Sequence, residues 1–315
     1  NIMESRPDVL VVNNFHPPTV SRIDKIYRTH HLWKLSSESQ IALITQLEGQ
    51  CKAAVTGSWA FNEAAYKLES LSLISAFGVG IDGIDINRTK EQHIRVTNTP
   101  DVLNDDVADI ALALILATSR NIINADRYAR SGLWEQSSMH YGSGLAGKTL
   151  GIVGLGRIGQ AVVERALPFK LKIAYHNRNK KDSPHKYFKS LIELAKHSDI
   201  LLCVLPGGHE TEKAINSEVL KALGPKGIFI NIGRGTSADE DCLIEFLSRK
   251  QIAAAGLDVY ATEPSIPRAL RELENVVLLP HIGSATVETR KAMGDLVLKN
   301  LEAFFSQKRL ISEVK

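Results

Sequence analysis

The chain has 315 residues, 44% hydrophobic and 23% charged, with 38 basic against 35 acidic side chains and a net charge of +3. That length predicts two domains in an ordinary globular protein, and the dispersed, nearly balanced charge gives no electrostatic footprint for nucleic acid or membrane. Cys51, Cys203 and Cys242 are scattered and share no ligand spacing with the histidines, and no apolar run approaches a membrane span of roughly 18 residues, so reduced thiols, no metal site and a cytoplasmic location are expected.

Asn1-Ile2 ahead of Met3 reads as an added remnant, with no signal-peptide layout behind it. Asp8 to Asn13 is a buried strand by pattern, and Pro17-Pro18 opens a helix with Val20, Ile23 and Ile26 in one stripe. His31 to Leu35 is expected as a second strand, and Ile41, Leu43, Ile44 and Leu47 as a helix closed by Gly49. Further strands are predicted at Ala53 to Thr56, Leu71 to Phe77 and Ile94 to Thr97. Such alternation predicts a parallel sheet with helices on both faces and ligands beyond the carboxyl ends of strands. The loops Gly57-Ser58-Trp59 and Gly78-Val79-Gly80 are therefore candidates by position.

Asp101 to Ser119 is the longest helical pattern, apolar nearly all round, and is expected to be buried and to link the domains. Tyr128 to Gly144 reads as irregular. Its Trp134, Met139, His140 and Tyr141 suggest a dimer arm.

The second half is organised around Lys148 to Gln160, KTLGIVGLGRIGQ. Leu150 to Val153 is a short buried-strand run, followed by G-x-G-x-x-G and a helix with Val162, Val163 and Ala166 on one side. In that context Gly154 allows the tight turn, Gly156 lets the backbone approach a pyrophosphate, and Gly159 lets helix and strand pack closely. The helix N-terminus offers N–H groups and a positive dipole end to phosphates.

Strands are then expected at Lys172 to Tyr175, Ile200 to Leu205, Gly227 to Ile232, Ala254 to Val259 and Val276 to Leu279, giving six in a doubly wound sheet. Helices are expected near Leu191 to Lys196, Ser217 to Leu223 and Glu240 to Arg249. Asp239-Glu240-Asp241 reads as the acidic first turn of a helix, and His30-His31 and His209 carry no functional reading. From about Ala285 a last helix, ending beside Leu301 and Phe305, has no strand to follow and is a candidate to pack back on the N-terminal domain.

Six stretches resemble one family in its own order: GVGIDGID from Gly78, VTNTPDVLNDDVAD from Val96, GLGRIG from Gly154, NIGRG from Asn231, GLDVYATEP from Gly256 and LPHIGSAT from Leu279. The chain is similar over essentially its whole length to the D-isomer-specific 2-hydroxyacid dehydrogenases, among them glyoxylate/hydroxypyruvate and hydroxyphenylpyruvate reductases. The resemblance implies an α/β protein of two doubly wound parallel-sheet domains. Residues 1–99 and 286–315 would form a flavodoxin-like substrate domain, and residues 100–285 a Rossmann dinucleotide-binding domain. It also implies a homodimer acting on a small 2-keto acid such as glyoxylate or hydroxypyruvate. Bulkier acids such as hydroxyphenylpyruvate are the alternative. So is a dinucleotide-sensing binding protein like the C-terminal-binding-protein corepressors, against which stands the lack of a long disordered tail.

Reduction of a 2-keto acid needs a cation for the carboxylate and carbonyl, a proton donor, and a nicotinamide held against the carbon. Arg234, between two glycines after a strand, has the planar fork that suits the first task. His281 is the natural acid, since histidine ordinarily titrates near neutrality. Glu263 would hold the far imidazole nitrogen and favour its protonated form. By resemblance these three match the family's catalytic Arg, Glu and His. Asp258 matches its partner for the nicotinamide carboxamide, and the amides of Val79 and Gly80 would bind the substrate carboxylate as a nest. Arg157, Ile158, Pro206, Ile232, His281 and Gly283 join the three motif glycines as implied coenzyme contacts.

An NAD enzyme places an acid on the adenine ribose about 20 residues past the glycine motif. Here Tyr175 to Lys181 reads YHNRNKK, with no acid until Asp182. Asn177, Arg178 and Asn179 stand where that acid would be, and Arg178 with Lys180 would attract a 2′-phosphate. NADPH is therefore expected over NADH.

Overall fold

Strands buried along their whole length need cover on both faces, and this holds for all five residues of Ala53–Gly57 and of Leu73–Phe77. The computed structural model describes residues 6–315; Asn1-Ile2, read above as a remnant, lies outside the described residues. The first sheet is wholly parallel. It contains β1 (Asp8–Val11), β2 (Arg28–His31), β3 (Ala53–Gly57), β4 (Leu73–Phe77) and β5 (Arg95–Thr97), in the order β2-β1-β3-β4-β5. This is the flavodoxin-like order. Helices α1 (Pro17–Ile26), α2 (Ser37–Leu47) and α3 (Ile86–Glu91) alternate with the strands.

β2 lies earlier than the sequence pattern placed it. Its partners on β1 run from Asp8↔Arg28 to Val11↔His31, and Leu32–Lys34 turns into a 3₁₀ segment that folds Leu32 fully inside. Polar anchoring overrides the weak apolar signal: Asp8 accepts from His30 at 2.7 Å and Asp24 from His31 at 2.9 Å. On α1 the buried stripe is Thr19, Val20 and Ile23, whereas Ile26 is half exposed.

The C-terminal helix, Val287–Phe305, is the longest among the described residues at 19 residues, displacing the expectation for Asp101 to Ser119. Thr286 caps it by accepting from Thr289 N–H, as N-cap threonines do. The helix lies in one compact unit with the chain up to Leu103. It approaches α1 closely enough that a Cβ on Gly294 would stand 2.0 Å from the Thr19 hydroxyl, and Arg22 pairs with Asp295 at 2.6 Å. Its buried Asn300 ties down the tail, accepting from the N–H groups of Ile311 and Ser312 and donating to Leu296 O and the Ser312 hydroxyl.

Asn104–Ala285 forms the second compact unit. Its strands are β6 (Thr149–Val153), β7 (Lys172–His176), β8 (Lys186–Tyr187), β9 (Ile200–Cys203), β10 (Ile228–Asn231), β11 (Ala254–Leu257) and β12 (Val276–Leu278). They run parallel in the order β12-β11-β10-β9-β6-β7-β8, a doubly wound sheet whose order reverses beside β6. There are seven strands where six were expected. The addition, β8, has only two residues, paired to Ala174 and Tyr175, and is too short to show alternation in sequence.

Around this sheet lie α4 (Asn104–Ser119), α5 (Ile122–Ser131), α6 (Arg157–Ala166), α7 (Leu191–Lys196), α8 (Ser217–Leu223), α9 (Glu240–Ser248) and α10 (Arg268–Arg271). α4 buries Val107, Ala108, Ala111, Leu112, Leu114 and Ile115. α5 takes in Tyr128 to Ser131, which the sequence left irregular, and none of its residues is buried. A helix with no buried face gives a pattern unlike a core helix, which explains the difference. Cys51 and Cys203 are free thiols pushed up by burial to about 11 and about 12. Among the described residues no helix is long and apolar enough to cross a membrane.

Asn300→Ala removes a fully buried side chain and, with it, the acceptor of the Ile311 and Ser312 N–H groups. It should cost about 1–3 kcal/mol in urea denaturation, and a change below about 0.5 kcal/mol, typical of surface sites, would show that the tail is anchored elsewhere.

Candidate active site

Three neighbouring strands of the second unit, β10, β11 and β12, release their chains at one edge of the sheet. At the end of β10, buried Asn231 turns the backbone by accepting from Gly233 N–H at 3.1 Å and donating to Arg234 O at 3.0 Å. The chain then passes against the loop after β11. A Cβ on Gly235 would stand 1.9 Å from the carbonyl carbon of Tyr260, so only glycine fits. Arg234 is thereby held at the strand end, with one guanidinium nitrogen donating to Gly233 O at 2.9 Å.

The loop after β11 carries Glu263. Its Oε1 accepts from Tyr260 N–H at 3.0 Å, and its Oε2 stands 2.6 Å from His281 Nδ1. A carboxylate at Nδ1 fixes the proton there and turns Nε2 outward, on a side chain that is about half exposed (47%). The Tyr260 hydroxyl donates to Leu279 O at 2.8 Å, tying the Glu263 loop to the segment that delivers His281. His281 has φ of +53°, the left-handed region that costs a non-glycine residue about 1–2 kcal/mol. Asp258 holds it there by accepting from the next two amides, Ile282 at 2.7 Å and Gly283 at 2.8 Å.

Electrostatics follow from these contacts. Burial pushes the Glu263 carboxyl up, but hydrogen bonds from His281 and Tyr260 N–H, with the charges of His281 and Arg234, outweigh it and leave the group below its ordinary value. Asp258 goes the other way: burial raises it despite its two amide donors. Burial also raises the Tyr260 phenol, which keeps it a donor.

The glycine turn follows β6. Gly154 has φ of +97°, and Gly159 packs so closely that its Cβ would stand 3.0 Å from Gly154 O. Gly156 is the N-cap of α6 and supplies no capping side chain, so Arg157, Ile158 and Gly159 form an N-terminal turn closed by no N-cap side chain. A Cβ on Gly156 would meet nothing within 4 Å, the open approach a bound diphosphate requires.

After β7, Asn177 commits its side chain to Leu155, accepting from its N–H at 2.7 Å and donating to its carbonyl at 3.0 Å. It therefore shapes the glycine turn. Arg178 and Asn179 are exposed, and Arg178 pairs with Glu210 at 2.8 Å. Pro206 O accepts from the Thr211 hydroxyl, Ile232 is buried, and Gly283 lies against Asp258 and Val107. Val79 and Gly80 belong to the first unit, half-buried after β4, where Asn98 donates to Val79 O at 3.1 Å.

Sequence reasoning missed four supports. Glu240, read as a first-turn acid, accepts from Ala261 N–H at 3.0 Å and braces the Glu263 loop. Tyr260 and Glu210 gave no signal. Asn231 did, since Asn two residues before Gly is an Asx-turn pattern.

This fold and site define a dinucleotide-binding dehydrogenase. Residues 112–283 match the D-isomer specific 2-hydroxyacid dehydrogenase NAD binding domain. The chain is 45% identical over 293 residues to a hydroxyphenylpyruvate reductase of Plectranthus scutellarioides, covering 93% of this chain and 94% of that protein. It is also 45% identical over 297 residues to a glyoxylate/hydroxypyruvate reductase of Arabidopsis thaliana, with the same 93% and 94% coverage. Among solved structures, the NADPH-dependent glyoxylate/hydroxypyruvate reductase of Sinorhizobium meliloti, in complex with NADP and malonate, superposes with a TM-score of 0.90 at 37% identity, covering 98% and 97% of the two chains. The protein belongs to the D-isomer specific 2-hydroxyacid dehydrogenase family.

Because folding depresses Glu263, the carboxylate contributes stability that is complete above the ordinary Glu value of about 4.3 and is lost as pH falls through the depressed value. Glu263→Gln should therefore melt below wild type at about pH 5.5, with the gap narrowing toward pH 3.5. A gap that stays constant or widens over that range would contradict the assignment.

Proposed function

We propose that this protein reduces small 2-keto acids, glyoxylate and hydroxypyruvate, to D-2-hydroxy acids with NADPH. The observation that carries the proposal is the 2.6 Å contact between Glu263 and His281, which leaves Nε2 to exchange the proton, with the Arg234 charge close enough to act on Glu263. The coenzyme fits the chain's own residues: an open glycine turn at a helix N-terminus, and basic Arg178 and Lys180 where an acid would repel a 2′-phosphate. When bound, NADPH supplies the hydride. The solved relative from Sinorhizobium meliloti, described as NADPH-dependent and in complex with NADP, supports the same choice.

In this reading Arg234 binds the substrate carboxylate and carbonyl oxygen, and His281 Nε2 gives its proton to that oxygen as negative charge grows on it. Glu263 keeps the ring oriented, with the proton on Nδ1. In oxidation, neutral His281 takes the proton back. Asp258 is the proposed partner of the nicotinamide carboxamide.

We further propose a homodimer, because α5 has no buried residue and Ile122, Ile123, Leu133, Trp134 and Tyr141 are all exposed on it or just after it. A cytoplasmic location is proposed from the free cysteines, which suit a reducing compartment.

NADPH oxidation across a panel of glyoxylate, hydroxypyruvate and hydroxyphenylpyruvate tests the substrate reading; both relatives quoted above are equally similar, so the panel decides between them. Higher kcat/KM for hydroxyphenylpyruvate than for the small acids would overturn the substrate choice. His281→Ala should lower kcat about 10²–10⁴-fold, the usual worth of acid–base catalysis, while still binding NADPH. Near-normal turnover at saturating glyoxylate would remove His281 from the mechanism.

A further inference from the structure

We propose that Glu210 sets the affinity for the 2′-phosphate of NADPH by competing with that phosphate for Arg178. The inference rests on the reading that Arg178 receives the phosphate. In the sheet, β7 and β9 flank β6, so the loops after them stand on either side of the glycine turn. Arg178 comes from the first of these loops. Glu210 comes from the second, in the 3₁₀ turn His209–Thr211, and its carboxylate meets the guanidinium at 2.8 Å across 32 residues of sequence.

The Glu210 turn is not loose. The Thr211 hydroxyl donates to Pro206 O at 2.6 Å, which anchors the turn to the end of its strand. Glu210 is thus presented to Arg178 by a fixed backbone, although the two side chains are 85% and 77% exposed.

A phosphate and a carboxylate are alternative partners for one guanidinium, and both are negative. A 2′-phosphate that takes the Arg178 nitrogen now given to Glu210 displaces that carboxylate and then lies near it. NADH carries no such phosphate and leaves the pair undisturbed. Glu210 therefore narrows the margin between the two coenzymes while playing no part in the chemistry. Exposed ion pairs are weak, so its effect should be modest, about 1.5- to 5-fold.

The test is calorimetric binding of NADP⁺, NAD⁺ and 2′,5′-ADP to wild type, E210Q, R178A and the double variant, with no turnover involved. E210Q should tighten NADP⁺ and 2′,5′-ADP about 1.5- to 5-fold and leave NAD⁺ unchanged. R178A should weaken NADP⁺ about 10- to 100-fold, as loss of a charge-assisted bond does, and on that background the gain from E210Q should be smaller than in wild type. Unchanged or weaker NADP⁺ binding by E210Q, with R178A still impaired, overturns the inference and leaves the reading of Arg178 intact. An equal gain with and without Arg178 also overturns it, because Glu210 would then act by direct repulsion. If R178A binds NADP⁺ as wild type does, the reading of Arg178 fails and the inference falls with it.

Discussion

One carboxylate beside one imidazole nitrogen gives the site its chemical direction. With Glu263 on Nδ1, His281 has a single nitrogen to offer, and the ring cannot rotate without breaking a 2.6 Å bond. The other contacts of the site serve to keep that pair in place. Tyr260 holds Glu263 through its amide and the His281 segment through its hydroxyl, so one residue registers both partners. Asp258 fixes the backbone behind His281, whose left-handed conformation needs such support. Glu240 braces the same loop from α9.

The sheet makes this convergence possible. Strands β10, β11 and β12 are adjacent and parallel, so their carboxyl ends lie side by side and three loops distant in sequence become neighbours. Gly235 sets the closest approach, backbone against backbone at the Tyr260 carbonyl. On the far side of the order reversal, β6 places the glycine turn at the same edge, which is where doubly wound sheets bind ligands. The first unit repeats the principle with its own five parallel strands and adds the C-terminal helix to its cover.

Much of this was legible in the sequence because the signals were local. Gly154, Gly156 and Gly159 sit between a buried-strand run and an amphipathic helix, and Arg234, Glu263 and His281 each follow a recognisable strand. What stayed hidden depended on partners far along the chain. The Arg178–Glu210 pair spans 32 residues, and the Glu240 contact with Ala261 spans 21. The position of β2 was set by Asp8 and Asp24 taking its histidines, which an apolar pattern does not register. α5 escaped because none of its residues is buried, and the pattern sought was that of a helix with a core-facing stripe. Asn177 was read as a coenzyme contact from its place near the ribose position; that its amide also braces the glycine turn through Leu155 was not legible.

The central claim is that His281 carries a proton on Nδ1, held by Glu263, so that Nε2 is the atom that exchanges protons with substrate. Nitrogen-15 NMR of the imidazole, assigned with a His281→Gln control, reads this directly. The account predicts a proton bonded to Nδ1, in slow exchange and shifted downfield, throughout the titration, with only Nε2 gaining and losing its proton. A neutral ring protonated on Nε2 with a bare Nδ1 would contradict it.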